Sequence, residues 1–484
     1  MMIRLGMGVL AARMAQKVLR WLGKGATAMP GRIARRVCPN VLSLLAQRQD
    51  IILITGTNGK TTTTLIIADI FRALDYEVLT NASGANLAVG LITSLIEGKK
   101  SLKKAQKQNR PTICVLEIDE GAFAAESKNI RAKVVVATNL FRDQLDRFGA
   151  LTFTRDLLAR GIKDTLGTVV LNADDPLVAQ LSEYCPKDVR YFGVTLEKDK
   201  DNTVTNDDAT GPLADSAECP KCQEILDYAQ KNFGHFGAYQ CRSCGYHRPE
   251  AEYRIVCRES VTEPTTLKRM TPESVSYPVT VKHGTEIYAS QTTIPGLHNL
   301  YNLTAAIAAS GCFTEQKGKE LSLESLCKAA QTAKPAFGRM EKIPIADKSI
   351  CFTLLKNPMS MERALATMTQ AEDIGAVYML LNSHEADGRD ISWLWDVDFE
   401  TQRYPAHVYV SGERSGDLYL RLIYAGVPEE NVTHASLREC ADTVEKALAD
   451  CQPGQCLYVL HNYSPMLQLR DALSDKYPLK DFWR

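Results

Sequence analysis

Residues 51–55, Ile-Ile-Leu-Ile-Thr, form an unbroken apolar run that stops at a glycine turn, and a helical pattern follows. The same rhythm returns at residues 113–118, 134–138 and 168–172. Strand-length apolar runs that alternate with helical segments predict a parallel sheet covered on both faces. The rhythm breaks near residue 197. Residues 198–211 are polar throughout and read as a loop, and a cysteine-rich block occupies 219–244. Short β-like stretches then lead to Pro295, and a helical pattern resumes over 299–312 with alanines at 305, 306, 308 and 309. Beyond about residue 340, strand-like runs at 349–355, 377–381, 407–411 and 456–460 are separated by helical segments, which predicts a second, smaller α/β domain. The expected organisation is a helical lead-in over 1–48, a main domain over 49–340 with an insertion at about 215–250, and a C-terminal domain over 341–484. There are no internal repeats.

The lead-in carries Leu5, Met7, Val9, Leu10, Met14, Val18, Leu19 and Leu22, interrupted by Arg4, Arg13, Lys17 and Arg20. No apolar run there is long enough to span a bilayer, and the charges break any signal-peptide core. The pattern predicts a basic amphipathic helix that either packs on the body of the protein or touches a membrane surface. Without a targeting signal, the expected location is the cytoplasm. Formal net charge over the 484 residues is zero, which excludes a general nucleic-acid or polyanion binder. Of 14 cysteines, those outside the 219–244 block are scattered singly and read as buried thiols in a reducing compartment.

The strongest chemical signal is Thr55-Gly56-Thr57-Asn58-Gly59-Lys60-Thr61-Thr62, which follows a buried strand and opens a helix. Glycines there let backbone N–H groups turn toward a phosphate, and the helix N-terminus favours its charge. Lys60 can reach terminal phosphates, and the Thr61 hydroxyl can ligate Mg²⁺. Only two residues separate Gly56 from Gly59, where the common phosphate loop has four. Leu116-Glu117-Ile118-Asp119-Glu120-Gly121 places carboxylates at a strand end, the hard ligands expected beside a nucleotide. In spacing and order these segments resemble the Mur ligase and folylpolyglutamate synthetase superfamily. The resemblance implies that Glu117 helps hold Mg²⁺, with Asp119 and Glu120 as other carboxylates that can serve. Four further segments agree with it. Thr138-Asn139-Leu140-Phe141-Arg142-Asp143-Gln144-Leu145-Asp146 has Gln144 where the superfamily carries a histidine that often binds a second metal, so a second Mg²⁺ site is in question. Leu171-Asn172-Ala173-Asp174-Asp175-Pro176 matches another segment. In His298-Asn299-Leu300-Tyr301-Asn302 the resemblance implies that Asn299 and Asn302 contact adenine. In Gly338-Arg339-Met340-Glu341 it implies that Arg339 reaches ATP phosphates between the domains.

Cys219-Pro-Lys-Cys222, eighteen residues, then Cys241-Arg-Ser-Cys244 is a C-x₂-C…C-x₂-C zinc spacing. Four thiolates close a tetrahedral site and leave no open position, so the zinc is expected to be structural. This ribbon, together with Lys356-Asn357-Pro358, the segment from Asp387-Gly388-Arg389-Asp390 to Glu400, and Asn462-Tyr463-Ser464-Pro465-Met466, resembles the MurT family. About fifty residues precede the phosphate loop, which leaves no room for a domain that reads a UDP-linked precursor. The resemblance implies a two-protein enzyme that amidates the α-carboxylate of D-glutamate in lipid II at the inner face of the membrane, through an acyl phosphate. A GatD-type glutaminase would supply the ammonia. In keeping with that, the chain has no G-x-C-x-G nucleophile turn of its own. Gly311-Cys312-Phe313 reads as core. The resemblance also places on Asp390 the acid that completes the glutaminase triad in trans, while the local pattern reads Asp390 as the cap of a helix over 391–395. Two alternatives remain. A folylpolyglutamate synthetase-like ligase is opposed by the ribbon and the D-G-R-D segment. A non-catalytic nucleotide-dependent scaffold is opposed by the full set of phosphate and Mg²⁺ groups.

Overall fold

The computed structural model describes residues 2–21, 28–81, 85–141, 151–186, 188–197, 218–258, 277–293, 296–319, 321–331, 333, 339–384, 387–474 and 476–477. The chain opens with three helices, α1 (Met2–Trp21), α2 (Met29–Val37) and α3 (Val41–Ala46). Leu5, Val9 and Ala12 of α1 are buried in one cluster with Ala34, Cys38 and Val41, so one face of α1 does pack on the body.

The first sheet has nine strands. Seven of them run parallel: β1 (Ile51–Thr55), β2 (Glu77–Thr80), β3 (Thr112–Glu117), β4 (Val134–Ala137), β5 (Thr168–Asn172), β6 (Val189–Glu197) and β9 (Tyr253–Arg258). Strands β10 (Tyr277–His283) and β11 (Glu286–Thr292) add an antiparallel hairpin at one edge. The order is β11-β10-β9-β6-β5-β4-β1-β3-β2. Every residue of β1, β4 and β5 is buried, as expected of strands covered on both faces. One face carries α4 (Lys60–Ala73), α9 (Leu297–Gln316) and α10 (Leu323–Ala330), whose Ile66, Ile67, Phe71, Ala305, Phe313 and Leu326 join Ile52, Val134 and Val170. The other face carries α5 (Ala88–Lys107), α6 (Glu120–Ile130) and α7 (Leu151–Lys163), with Leu91, Phe123 and Leu158 on Ile51, Leu53 and Val135. A short helix α8 (Pro176–Gln180) follows β5.

Between β6 and β9 the chain builds a two-stranded ribbon, β7 (Asp227–Phe233) and β8 (Phe236–Gln240). The second sheet begins at Arg339. Its order is β12-β13-β17-β14-β15-β16, from β12 (Arg339–Ile345), β13 (Lys348–Leu354), β14 (Ile374–Leu380), β15 (Val408–Ser411), β16 (Val432–His434) and β17 (Cys456–His461). All its pairs are parallel except β12 with β13. Helices α11 (Pro358–Gln370), α12 (Ser415–Tyr424), α13 (Cys440–Asp450) and α14 (Tyr463–Leu473) cover it. The helix expected over 391–395 is a single 3₁₀ turn, Ser392–Trp395. It ends where expected, and Arg421 of α12 donates its guanidinium to the carbonyls of Leu394 and Val397 around that end. Cys312 is buried in α9, and the other single cysteines are buried except the half-buried Cys185.

Candidate active site

In the order β4-β1-β3, the connection from β1 runs to one side and the chain later returns to the other. Open α/β sheets bind ligands at such a reversal, beyond the carboxyl ends of the strands. The phosphate-loop sequence lies there, between Thr55 at the end of β1 and Lys60 at the start of α4. Gly59 caps α4 with φ +82°, and the side chain of Asn302 stands directly against its Cα, so no larger residue fits. The loop is fastened to the end of β4. Thr57 N–H donates to Asn139 O at 2.9 Å, Asn58 N–H to Asn139 Oδ1 at 2.8 Å, and Thr138 Oγ1 to Asn58 O at 2.8 Å.

Lys60 is held by the carbonyls of Gly56 and Thr57 and by Glu120 Oε1 at 3.2 Å. Glu120 is buried, and burial raises its carboxyl above the ordinary 4.5, with Lys60 the largest opposing influence. Thr61 Oγ1 donates to Glu117 Oε2 at 2.6 Å, so the two oxygens read as Mg²⁺ ligands already lie side by side. Asn81, which the sequence did not single out, holds Glu117 at both ends of its peptide unit, accepting its N–H at 2.9 Å and donating to its carbonyl at 2.8 Å. Asp119 instead caps α6 by accepting Gly121 N–H. Thr62 is buried in α4.

A cleft opens from this loop toward the second domain, walled by Gly59, Phe141, Phe236, Asn302, Met359 and Arg363. Asn302, at this wall, donates its Nδ2–H to Asn299 Oδ1 at 3.3 Å. Across the cleft, Asn357 caps α11 through Ser360 N–H at 3.0 Å and donates to Asn58 Oδ1 at 3.2 Å. Asn-Pro is legible as a helix start, but nothing local foretells that its side chain reaches the phosphate loop. Arg339 begins β12, and its side chain lies outside the described residues, as do Gly338 and the segment from Arg142 to Asp146 with Gln144.

The ribbon also reaches this cleft. Phe236 packs on Phe141 and Tyr301 with ring centroids 5.1 Å apart in each case, and Arg363 lies 4.1 Å over Phe233. Asp174 and Asp175 form its seat. Asp174 takes Tyr301 Oη at 2.7 Å and Arg248 Nε at 2.5 Å, and Asp175 takes Leu140 N–H at 2.8 Å with His235 Nε2 at 3.4 Å. At the far end of the ribbon, the sulfurs of Cys219, Cys222, Cys241 and Cys244 all lie within 4.8 Å of one another, a set that could hold a metal ion. Among the described residues no other ligand type joins them, which suits a closed tetrahedral thiolate site.

In the second domain, two of the singled-out segments meet at the carboxyl ends of β14 and β17. Asp387 is buried and accepts Ser464 N–H at 2.7 Å and Ser464 Oγ at 2.5 Å, while the Asn462 side chain accepts Asn382 N–H and donates to the Asn382 carbonyl. This network fixes the turn that presents Asp390. Asp390 is half-buried, its Oδ1 accepts Ser392 N–H at 2.8 Å, and its second oxygen makes no hydrogen bond to the described residues.

Residues 54–220 match the Mur ligase middle domain, and residues 354–466 match the MurT ligase C-terminal domain. The chain is 34% identical, over 98% of both lengths, to the Streptococcus pneumoniae protein named lipid II isoglutaminyl synthase (glutamine-hydrolyzing) subunit MurT. It is 31% identical to the Staphylococcus aureus protein of the same name, over 86% of this chain and 87% of that one. The chain belongs to the MurT family. Its fold is that of the Mur-type ligases. A pseudomurein peptide ligase type C from Methanothermus fervidus superposes with TM-score 0.62 at 18% identity, covering 90% of this chain and 81% of that one. MurF from Acinetobacter baumannii superposes with TM-score 0.61 at 17% identity, covering 92% and 80%. The family implies ATP and Mg²⁺. The MurT residues fit them: a glycine loop that a Cβ would fill, and paired Thr61 and Glu117 oxygens of the kind a hard cation takes.

Proposed function

We propose that this MurT chain activates the α-carboxylate of D-glutamate in the lipid II stem peptide with ATP, and that ammonia from a GatD-type glutaminase converts it to D-isoglutamine in peptidoglycan synthesis. The observation that carries the reading is the cleft itself. Asn58 and Gly59 of the loop that leads to Lys60 and the Thr61–Glu117 pair line one wall, and Lys356, Met359 and Arg363 of a domain of MurT type line the other, where Asn357 reaches Asn58. A carboxylate is a poor acyl donor, and phosphorylation to an acyl phosphate supplies the leaving group. ATP with Mg²⁺ provides the phosphoryl group. Thr61 and Glu117 would hold the cation, and Lys60 would turn from the loop carbonyls to the phosphates and offset their charge. Arg339 would add a second cation between the domains. Asn299 and Asn302 would face the adenine edge, with Phe141, Phe236 and Tyr301 as its apolar surround. The four cysteines would hold one zinc that braces the ribbon against the cleft. Asp390 would act in trans, its second oxygen orienting the histidine of the glutaminase. The exposed rings of Trp395, on the turn that follows Asp390, and of Tyr424, at the end of α12, lie 5.6 Å apart and offer that partner an aromatic surface.

The test is to purify the chain with its GatD-type glutaminase and follow lipid II by mass spectrometry with ATP, Mg²⁺ and glutamine. Amidated lipid II is expected, and none with Glu117→Ala. An unchanged lipid II, or glutamate added as an extra residue, would overturn the reading.

A further inference from the structure

The face of α1 that packs on the body is one of two apolar faces. Leu5, Val9 and Ala12 are buried, with Gln16 in line. Ile3, Met7, Leu10, Met14, Val18 and Trp21 are exposed, from 54% at Val18 to 85% at Trp21. At about 100° per residue the exposed six fall within an arc of about 80°, opposite the buried set. Arg4 and Lys17 border this arc on its two sides, and Arg13 lies beyond Lys17. A surface helix in a globular protein presents polar residues outward, and this one presents six large apolar side chains in line.

The charge around the stripe is of one sign. Residues 1–49 contain nine arginines and lysines and no aspartate or glutamate, in a chain whose overall net charge is zero. Helix α5 packs against α1 and α2 and carries Lys99, Lys100, Lys103, Lys104 and Lys107, with Glu97 as its one acid. The Lys99 ammonium is pushed below its ordinary range by burial, then by Lys103 and by Arg13 of α1, which places the two basic sets side by side.

We propose that the exposed stripe of α1 is a docking face for an anionic lipid bilayer, with its six apolar side chains entering the interface and the basic residues around it meeting the headgroups. Charge complementarity selects this occupant. A second copy of the chain would bring the same positive surface against itself. No described helix is long and apolar enough to cross a membrane, so the helix lies on the surface. Helix α2 joins this face to the active site: it packs on α1, and its Arg35, paired with Glu126 at 2.8 Å, lines a groove with Leu87, Ala88 and Asp119 beside the end of β3. A lipid-linked substrate would thus be met one helix away from the phosphate loop. The docking itself does not depend on the amidation proposed above.

The test uses the full chain with vesicles of phosphatidylcholine, with and without phosphatidylglycerol. The wild type is expected to float with the anionic vesicles, less so as salt is raised, and not with phosphatidylcholine alone. Trp21 emission is expected to shift to the blue on binding, a signal that Trp21→Phe removes. L10Q/M14Q changes exposed residues only and is expected to weaken vesicle binding about tenfold or more, with an unchanged circular dichroism spectrum. R13Q/K17Q is expected to reduce the salt dependence. Failure of the wild type to bind anionic vesicles, or equal binding by L10Q/M14Q, would overturn the proposal. So would sedimentation velocity showing that L10Q/M14Q breaks a dimer or releases the glutaminase while vesicle binding persists.

Discussion

Replacing Lys60 with methionine keeps the aliphatic stem and removes the ammonium, and the site makes two separate consequences visible. For turnover, the loss is that of one donor aimed at developing charge, about 10²–10³-fold. For stability, the affected group is Glu120. Its Oε1 lies 3.2 Å from Lys60 Nζ, and its side chain is 7% exposed. Burial raises its pKa above 4.5 and Lys60 is the strongest influence opposing that rise, so the variant raises it further. An acid with a raised folded pKa stabilises the fold fully below its unfolded value, and that stability is lost as pH climbs through the folded value. The deficit of Lys60→Met relative to wild type should therefore be small near about pH 5 and grow toward about pH 8. Its ceiling is about 3–5 kcal/mol, the cost of an uncompensated buried charge, and proton uptake by Glu120 should hold it below that. Adding Glu120→Gln removes the charge and should return most of the stability while turnover stays lost. Urea unfolding at the two pH values and lipid II-dependent ATP hydrolysis read the two effects. Turnover within about twofold of wild type would refute the phosphate role. A double variant no more stable than Lys60→Met would refute the electrostatic account.

Asp390→Asn should still assemble with the glutaminase and keep ammonium-driven amidation, but lose the glutamine-driven reaction; glutamine hydrolysis at the wild-type rate in the complex would count against the trans role. Freshly purified, reduced protein should contain about one zinc per chain by elemental analysis, and Cys222→Ser should lower both zinc content and melting temperature. Burial holds the His461 imidazole down from 6.5 to about 4, so neutral His461 favours the fold above 6.5 and that contribution fades as pH falls toward 4. Over that span it amounts to about 3 kcal/mol at 1.36 kcal/mol per unit, and His461→Asn should flatten the acid limb of the unfolding profile. Asn357→Ala should cost about 1 kcal/mol of stability through the lost cap. Because Asn357 also touches Asn58, the KM for ATP should rise in steady-state kinetics.

The parallel strands were legible because burial on both faces leaves a simple mark, an apolar run such as Ile51–Thr55 or Thr168–Asn172. The phosphate loop was legible because its glycines, Lys60 and Thr61 are contiguous and local geometry decides their form. Contacts between distant segments left no such mark. Asn357 meets Asn58 across 299 residues, and Asn302, read as an adenine contact, also stands against Gly59. The ribbon was legible as a metal site from its cysteine spacing, yet nothing in that spacing shows that Phe236 closes a wall of the cleft. The short helix after Asp390 stands at its expected place as a 3₁₀ turn, but nothing local foretells that Arg421 of α12 takes the carbonyls at its end.

The position of the ribbon in the chain path limits how the protein could be shortened. Strands β6 and β9 are neighbours and run parallel, with Phe192 opposite Tyr253 and Glu197 opposite Arg258. Parallel neighbours cannot be joined by a tight turn and require a crossover, most often a helix. Here residues 198–252, ribbon included, make that crossover. Cutting them back to a tight turn would send β9 the other way and reverse β10 and β11 after it. Helix α9 would then enter from the opposite end of the sheet, carrying Asn299 and Asn302 away from the phosphate loop. Removing the whole of residues 198–252 would therefore rewrite the topology of the domain, and a minimal version of this ligase has to keep a crossover long enough to return the chain for β9.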